Sequence, residues 1–229
     1  MAKGRLIVID GSDGSGKTTQ ANLLIEQLQK DGFASAYYDF PQYNKTFFGK
    51  MVGRYLSGEF GQADEVSPFL ASLLYAGDRF QASREMAADI EQGKIVICNR
   101  YIQSNLGHQS AKFNTNTEKE EYAAWLFELE YGVYGIPKPD LVIFLHVPYM
   151  ISQKLTSNAD AIGRKGYSKG KDIHEANADF MKRSVAEYCR LADIYPEWQK
   201  IDCYSGENIL PIAEIQKKVY QIVKKELGD

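Results

Sequence analysis

The sequence is poor in the features that mark membrane-spanning, disulfide-linked and zinc-binding proteins. Its 229 residues include only three cysteines, which form no CxxC pair, so neither a disulfide framework nor a zinc site is predicted. No apolar run approaches the ~20 residues that a membrane-spanning helix needs. The N-terminal residues lack the pattern of a signal peptide and lead straight into an apolar run. We therefore expect a cytoplasmic protein with no membrane partner.

The chain also lacks an excess of charge, internal repeats and low-complexity linkers. Lys and Arg number 27 and Asp and Glu number 30, which gives a formal net charge of −3. A protein that binds duplex nucleic acid usually carries a strong basic excess, so no nucleic-acid partner is predicted. A chain of this length without a linker is expected to form a single domain over residues 1–229.

What the sequence does contain is an alternation of short apolar runs and longer segments of helical periodicity. Strands separated by helices pair in parallel through right-handed crossovers. The pattern therefore predicts an α/β fold with three layers, in which helices flank about five parallel strands. The predicted strands are residues 6–9, 35–40, 95–98, 141–147 and 198–203, and the predicted helices are residues 18–30, 68–92, 118–134, 173–194 and 210–227.

Capping residues mark several of the predicted helix ends. Gly32 follows the first helix in the position that a C-terminal cap prefers. Ser67 and Pro68 form a typical helix start, with Ser as the N-cap and Pro at the first helical position. Asp172 and Glu175 match the capping-box pattern before the fourth predicted helix.

The strongest motif is GSDGSGKT at residues 11–18, which matches the phosphate-binding pattern G-x-x-x-x-G-K-[ST]. Its glycines let backbone N–H groups turn toward phosphate oxygens, and the following helix adds its positive dipole end. Lys17 is predicted to neutralise phosphate charge and Thr18 to bind Mg²⁺. A chance glycine-rich turn is the weaker alternative, because the motif follows a buried strand and opens a helix. The predicted nucleotide-binding residues are Gly11, Ser12, Asp13, Gly14, Ser15, Gly16, Lys17, Thr18 and Thr19.

Two other classes of P-loop protein fit the sequence less well. A GTPase needs a guanine-reading NKxD motif, and Asn44 and Lys45 supply its first two residues without the Asp. A transporter-type ATPase needs LSGGQ, which residues 56–60 match only for three letters and too near the phosphate loop. A small kinase that phosphorylates a second ligand is the interpretation that remains.

Three further segments resemble the thymidylate kinase family. DFPQY at residues 39–43 is similar to the FP motif after the second strand, and YAGDR at 75–79 to the helix motif that faces thymine. NRYIQSN at 99–105 is similar to the DRY-x-x-S-N segment after the third strand. The segments occur in the family's order over most of the chain. The resemblance implies phosphorylation of dTMP to dTDP in dTTP biosynthesis, Mg²⁺ with ATP as the phosphoryl donor, and a homodimer.

The resemblance also implies roles for single residues. Asp13 is similar to the acid that contacts the sugar 3′-hydroxyl, and Arg100 to the arginine that bridges acceptor and donor phosphates. Tyr75 takes the place of the aromatic residue that stacks on the base, and Arg79 that of the arginine that reaches a thymine carbonyl. The other implied substrate contacts are Phe40 and Tyr43 beside the monophosphate pocket, and Asn105 and His108 near the base and sugar.

Spacing supports two of these roles independently of the resemblance. Tyr75 and Arg79 are four residues apart and share a helix face. Arg100 directly follows a buried strand, at the edge where ligands bind in open α/β sheets. The alternatives are that Tyr75 is a core residue and that His108 is a half-buried polar residue. His146, inside a predicted strand, is expected to be structural.

The chain departs from the family pattern at two positions. The acid of the DRY motif, which helps to hold Mg²⁺ in the family, is replaced by Asn99. Asp10, at the end of the first strand, is predicted to supply the missing carboxylate beside Thr18. Gln42 stands where relatives often have a basic residue or glycine, so acceptor phosphate binding is expected to depend more on Arg100.

Residues 157–171 are rich in Gly, Ser and Lys, which predicts a flexible lid between helices. Ser15 offers no cation to the transferring phosphoryl group, so the lid is predicted to supply one. Arg164 is favoured over Lys165, Lys169 and Lys171 because only arginine can clamp an anion bidentately. The alternative is a solvated basic loop. The predicted catalytic residues are therefore Lys17, Arg100 and Arg164.

Two other functions stay open on the sequence alone. One is a kinase for a different nucleoside monophosphate or for a deoxynucleoside. The other is a catalytically weak protein that binds nucleotides. This hypothesis arises because Asn99 replaces the acid of the family's motif. Turnover of a panel of acceptors with ATP separates both from a thymidylate kinase.

Overall fold

Five parallel strands form the central sheet in the spatial order β2-β3-β1-β4-β5. The computed structural model describes residues 4–159, 173–174 and 177–228. Strands β1, β3 and β4 are buried over nearly their whole length, as expected when helices cover both faces. The strands are β1 Arg5–Asp10, β2 Ser35–Asp39, β3 Ile95–Asn99, β4 Leu141–His146 and β5 Trp198–Asp202, followed by the antiparallel pair β6 Tyr204–Ser205 and β7 Asn208–Ile209.

The helices form one layer on each face of the sheet. Leu6 and Val8 of β1 belong to the core beneath α3, α4, α5 and α7, whereas Ile7 and Ile9 belong to the core beneath α1 and α8. Successive side chains of a strand point to opposite faces, so β1 serves both cores, and the predicted three-layer α/β fold is confirmed. The helices are α1 Lys17–Lys30, α2 Phe47–Leu56, α3 Pro68–Glu91, α4 Ile102–Gln109, α5 Asn116–Phe127, α6 Tyr149–Ala159, α7 Ala178–Ile194 and α8 Ile212–Leu227.

Several helix boundaries differ from the prediction. The helix predicted from residue 173 begins at Ala178, because Asn177 caps it by accepting a hydrogen bond from the Phe180 N–H at 3.0 Å. The predicted capping residues Asp172 and Glu175 lie outside the described residues. The helix predicted over 118–134 is instead α5 followed by a π-helical turn, Glu128–Val133. Helices α2, α4 and α6 were not predicted.

The predicted lid falls mostly outside the described residues. Helix α6 extends to Ala159, so residues 157–159 are helical rather than part of a loop. Residues 160–171 lie outside the described residues, and with them Arg164, Lys165, Lys169 and Lys171. Within the described ranges, no helix combines the length and apolar character that crossing a bilayer requires.

The parallel pairing brings the carboxyl ends of all five strands to one edge of the sheet. Asp39 is paired in register with Asn99, and His146 with Asp202, while Asp10 lies between them on the central strand. This edge is where open α/β sheets bind their ligands, and the phosphate loop begins there.

Packing between α4 and α7 leaves no room for a side chain at Gly107. A Cβ atom at this position would lie 2.3 Å from the ring of Tyr188. We therefore expect Gly107→Ala to lower the free energy of unfolding in urea by about 1–3 kcal/mol. Gly132→Ala is the control, because its Cβ would meet only the flexible side chain of Glu128 at 2.9 Å. Equal losses in the two variants would contradict the close packing.

Candidate active site

The loop between β1 and α1 is shaped to receive an anion. Gly16 has a left-handed backbone (φ 86°), and no side chain caps the helix that follows it. Gly11 passes so close to β4 that a Cβ there would lie 2.6 Å from the Leu145 carbonyl oxygen. The buried hydroxyls of Ser12 and Ser15 have no hydrogen-bond partner among the described residues. Uncapped helix N–H groups and unpaired hydroxyls are the donors that a phosphate needs.

Lys17, the first residue of α1, folds back over this loop. Its Nζ donates a hydrogen bond to the Ser12 carbonyl at 2.7 Å and lies 4.0 Å from the Asp13 carboxylate. Only 7% of Lys17 is exposed, so its charge is directed at the loop rather than at solvent. The side chains of Thr18 and Thr19 are exposed at the start of the helix. The ammonium and the Thr18 hydroxyl therefore flank the place where phosphates would lie.

Arg100 is fixed at the carboxyl end of β3 by an unusual backbone. Its φ is 66°, and it is the one described residue other than glycine with a positive φ, a conformation that costs about 1–3 kcal/mol. The guanidinium forms an ion pair with Asp13 of the phosphate loop, and its Nη1 donates to the Ser104 hydroxyl at 3.2 Å. The strained turn thus places a cation directly beside the phosphate loop.

Asp13 is held ionised by the groups around it. Burial disfavours its charge, but Arg100, His108 and Lys17 outweigh burial and hold the pKa of the carboxyl well below its usual value. His108 is 7% exposed; its Nε2 lies 4.0 Å from Asp13, and its Nδ1 lies 3.1 Å from the Ser184 hydroxyl oxygen. A permanently charged acceptor therefore lies where the resemblance expects a sugar hydroxyl.

Asp10 is surrounded by hydrogen-bond donors of the protein. It is fully buried, and its carboxylate accepts hydrogen bonds from the Gly11 N–H at 2.7 Å and from the hydroxyls of Ser104 and Tyr188 at 2.9 Å. Arg100 lies 3.9 Å away. These contacts join Asp10 to Arg100 and to the start of the phosphate loop, and its role in binding Mg²⁺ stays a prediction.

Asn99 is the residue that contacts the Thr18 hydroxyl. Its Nδ2 donates hydrogen bonds to Thr18 Oγ1 at 3.0 Å and to Asp39 Oδ1 at 2.8 Å. Asn99 is only 1% exposed, and its Oδ1 has no hydrogen-bond partner among the described residues. The position that departs from the family pattern is therefore linked to a carboxylate on the adjacent strand.

Arg79 forms a buried ion pair that the sequence did not predict. Its Nε and Nη2 donate to the two carboxylate oxygens of Glu130 at 2.6 and 2.5 Å. Further hydrogen bonds reach the Tyr101 carbonyl at 3.2 Å and Asn105 Oδ1 at 3.1 Å. Burial disfavours the charge of Arg79, but Glu130 outweighs burial and raises the pKa of the guanidinium. Since four of the five N–H groups of an arginine are used by these contacts, at most one is left for a base carbonyl.

Glu130 reaches Arg79 through the π-helical turn after α5. This wider turn, Glu128–Val133, carries Glu130 inward to complete burial, between Leu129 and Tyr131. π-Helical turns occur frequently at functional sites, but a lone acidic residue between apolar neighbours gave no signal in the sequence. The sequence analysis also missed the roles of Asp39, Ser104 and Tyr188, because each has a hydrogen-bond partner far away along the chain.

The predicted substrate-contacting aromatic residues lie at different depths. Phe40 is 2% exposed and packs in the core with its ring 5.9 Å from that of Tyr101. Its place beside the monophosphate pocket stays a prediction. Tyr43 and Tyr75 are half-buried, and the Tyr75 ring meets that of Tyr55 edge-on at 6.2 Å. Partial exposure keeps both tyrosines consistent with contact to a substrate.

Two carboxylate–arginine pairs, the buried Arg79–Glu130 pair and the half-exposed Arg54–Glu59 pair, give a matched test of stability. We expect Glu130→Gln to lower the free energy of unfolding by about 3–5 kcal/mol, because it leaves the buried charge of Arg79 uncompensated. The control, Glu59→Gln, breaks the half-exposed Arg54–Glu59 pair at 2.7 Å and is expected to cost less than about 1 kcal/mol. Urea denaturation of both variants decides, and similar losses would contradict the importance of the buried pair.

Comparisons with known proteins agree on one family. The family model for thymidylate kinase matches residues 9–205. A probable thymidylate kinase from Pyrococcus abyssi is 28% identical over 228 residues, which cover 98% of this chain and 98% of that protein. The solved thymidylate kinase of Candida albicans superposes with a TM-score of 0.73 over 98% of this chain and 93% of that chain; at 23% identity this likeness shows the fold. Because the family match extends from the phosphate loop to the end of the sheet, the chain belongs to the thymidylate kinase family.

Proposed function

We propose that this protein transfers the γ-phosphoryl group of ATP to the phosphate of dTMP, giving ADP and dTDP for dTTP biosynthesis. The observation that carries the proposal is the Arg100–Asp13 ion pair, because it joins the sheet edge expected to hold the acceptor to the phosphate loop expected to hold the donor. A phosphate monoester is already a nucleophile, so the protein has to align the two substrates and neutralise charge rather than remove a proton.

Charge neutralisation on the donor side comes from the phosphate loop. The backbone N–H groups before α1 and the ammonium of Lys17 bind the β- and γ-phosphates of ATP. An oxygen of the acceptor phosphate attacks the γ-phosphorus, and the bond from that phosphorus to the β-phosphate oxygen breaks to release ADP. Arg100 exchanges part of its contact with Asp13 for the acceptor phosphate and stabilises the negative charge of the transferring group.

The Thr18 hydroxyl and the buried, unpartnered Oδ1 of Asn99 fit a hydrated Mg²⁺, which prefers oxygen ligands and keeps several waters. The described residues contain no cluster of three metal-ligating side chains, which agrees with an ion held largely by nucleotide phosphates and water. When bound, Mg²⁺ neutralises the charge on the β- and γ-phosphates. The role of the protein is to present Thr18 at the right end of the loop.

The acceptor nucleotide contacts residues from four elements. Asp13 accepts a hydrogen bond from the 3′-hydroxyl, with His108 beside it, and Tyr43 borders the phosphate. Tyr75 stacks on the base, whose carbonyl receives the remaining N–H of Arg79, and Asn105 contacts the same end. Arg164, which lies outside the described residues, is proposed as the lid cation, because Ser15 is neutral and Arg100 already serves the acceptor.

The proposed reaction is tested by turnover of several acceptors with Mg·ATP. We expect dTMP to give the highest kcat/KM among dTMP, dUMP, dCMP, dAMP and thymidine, with release of ADP as the measurement. Lys17→Ala is expected to lower kcat with dTMP by about 10²–10³, a typical loss for one preorganised contact to the transition state. Faster turnover of another acceptor would contradict the substrate assignment, and unchanged turnover of Lys17→Ala would contradict the donor site. Circular dichroism of the variant controls for folding.

We also propose that the protein forms a homodimer through an apolar face centred on α3. Phe69 and Phe80 lie eleven residues, or about three turns, apart and so share one side of this helix. They are 37% and 48% exposed, and each ring lies 4.8 Å from a second aromatic ring, those of Trp125 and Tyr134. Val133, next to Tyr134 in the sequence, is 68% exposed. Contiguous exposed apolar surface of this kind is typical of protein–protein contacts.

Placing a charge in this face is expected to separate the subunits. Phe80→Glu should convert a dimer into a monomer when molar mass is measured by light scattering after size-exclusion chromatography. Ile212→Glu is the matched control, because Ile212 is 57% exposed on α8, in the opposite layer. A wild-type protein that is monomeric, or a dimer unaffected by Phe80→Glu, would contradict this interface.

A further inference from the structure

Hydrogen bonds through Asn99 link the exposed Thr18 hydroxyl to a carboxylate on β2, that of Asp39. Residues 39 and 99 are paired in register at the last step of the β2–β3 ladder. One nitrogen, Asn99 Nδ2, donates to both Thr18 Oγ1 at 3.0 Å and Asp39 Oδ1 at 2.8 Å. Two acceptors that share one amide nitrogen lie within about 5 Å of each other. Asp39 is therefore close enough to act on whatever the Thr18 hydroxyl binds.

The other carboxylates at this edge are engaged elsewhere. Asp10 is fully buried and accepts hydrogen bonds from the Gly11 N–H and from two hydroxyls. Asp13 is ion-paired with Arg100 and lies 4.0 Å from the Lys17 ammonium. Neither is bonded to Asn99, whereas Asp39 is bonded to it directly. Among the described residues, Asp39 is thus the acid coupled to the Thr18 side of the phosphate loop.

The pairing also explains why residue 99 is an amide in this chain. A carboxylate at position 99 would face the Asp39 carboxylate across the same 2.8 Å contact. Two ionised carboxylates at such a distance would repel each other strongly. With Asn99 the contact becomes a hydrogen bond, and the pair carries a single negative charge. The amide oxygen of Asn99 stays buried with no hydrogen-bond partner among the described residues, so it still offers an acceptor.

We propose that Asp39 supplies the negative charge of the metal site, displaced by one strand from position 99, and that Asn99 positions it beside Thr18. The inference rests on the proposed function for the presence of nucleotide-bound Mg²⁺. Asp39 and the Asn99 oxygen accept hydrogen bonds from the water shell of the ion, and Asn99 fixes the Thr18 hydroxyl. Partners of this outer kind commonly change metal affinity 10–100-fold.

The test measures metal affinity rather than turnover. Mn²⁺, used in place of Mg²⁺, is titrated into the enzyme with saturating ADP, and free Mn²⁺ is followed by electron paramagnetic resonance. Asp39→Asn is expected to weaken Mn²⁺ binding by about 10–100-fold, while calorimetry in EDTA shows little change in ADP affinity. Asp193→Asn is the matched control, because it removes the same charge at an exposed position on α7 and should leave both affinities unchanged.

Reciprocal exchange separates a role in the metal site from a role in folding. The double variant Asp39→Asn/Asn99→Asp restores one charge and one amide, and its Mn²⁺ affinity is expected to return to within about threefold of wild type, a residual that reflects only the altered position of the charge. If Asp39 only stabilises the strand ends, the double variant is not expected to recover its Mn²⁺ affinity.

Two results would overturn the inference. They are wild-type Mn²⁺ affinity in Asp39→Asn and failure of the double variant to recover. Failure of the proposed function gives a different outcome, because a protein that binds no ADP or prefers another acceptor contradicts that proposal directly. Normal ADP binding with an unchanged Mn²⁺ affinity contradicts only the role of Asp39.

Discussion

The ion pair between Asp13 and Arg100 is the interaction on which the arrangement of the site depends. Arg100 has a left-handed backbone at the end of β3, and this strain persists because the guanidinium is held by Asp13 and Ser104. Ser104 is in turn bonded to Asp10. A strained residue that several partners fix in this way is typical of active sites. The charge needed for phosphoryl transfer is therefore positioned before any substrate arrives.

The two arginines Arg100 and Arg79 differ in how freely they can change partners. Arg100 is 16% exposed and pairs with a loop residue, so an incoming phosphate can share its fork. Arg79 is 2% exposed and is clamped bidentately by Glu130, which is fully buried. Exchange of that partner would leave an uncompensated charge in the core. Depth thus separates an arginine that can exchange partners from one that is fixed in the core.

Local patterns in the sequence predict the parts of this structure that depend on local interactions. Strands β1, β3 and β4 could be predicted because strands buried on both faces are continuously apolar. The phosphate loop could be predicted because its conformation depends on its own glycines. Helix α2 was missed because Gly49 and Gly53, residues that disfavour helices, lie inside it, and helix α4 because it is only eight residues long. The start of α7 was placed five residues early, because apolar spacing did not reveal that Asn177 caps the helix.

Contacts between distant residues were the parts that could not be predicted. The role of Asp10 depends on Tyr188, which approaches from the opposite end of the chain. The clamp on Arg79 depends on a π-helical turn that no sequence pattern announced. Both cases involve buried polar groups, whose partners are dictated by the need to satisfy every hydrogen bond in the interior and not by spacing along the chain.

The sheet edge shows why a change at a motif position does not by itself predict loss of function. When residues are considered one at a time, the absence of an acid at position 99 predicts weaker binding of Mg²⁺. In the sheet, residues 39 and 99 are adjacent, so the electrostatic potential at Thr18 depends on the charge of the pair rather than on which strand carries it. Parallel strands end together, so a charge can move to the neighbouring strand while staying about 5 Å, one strand spacing, from its original place. Position in space is therefore the constraint that the chemistry imposes, and position in the sequence is free to vary within it.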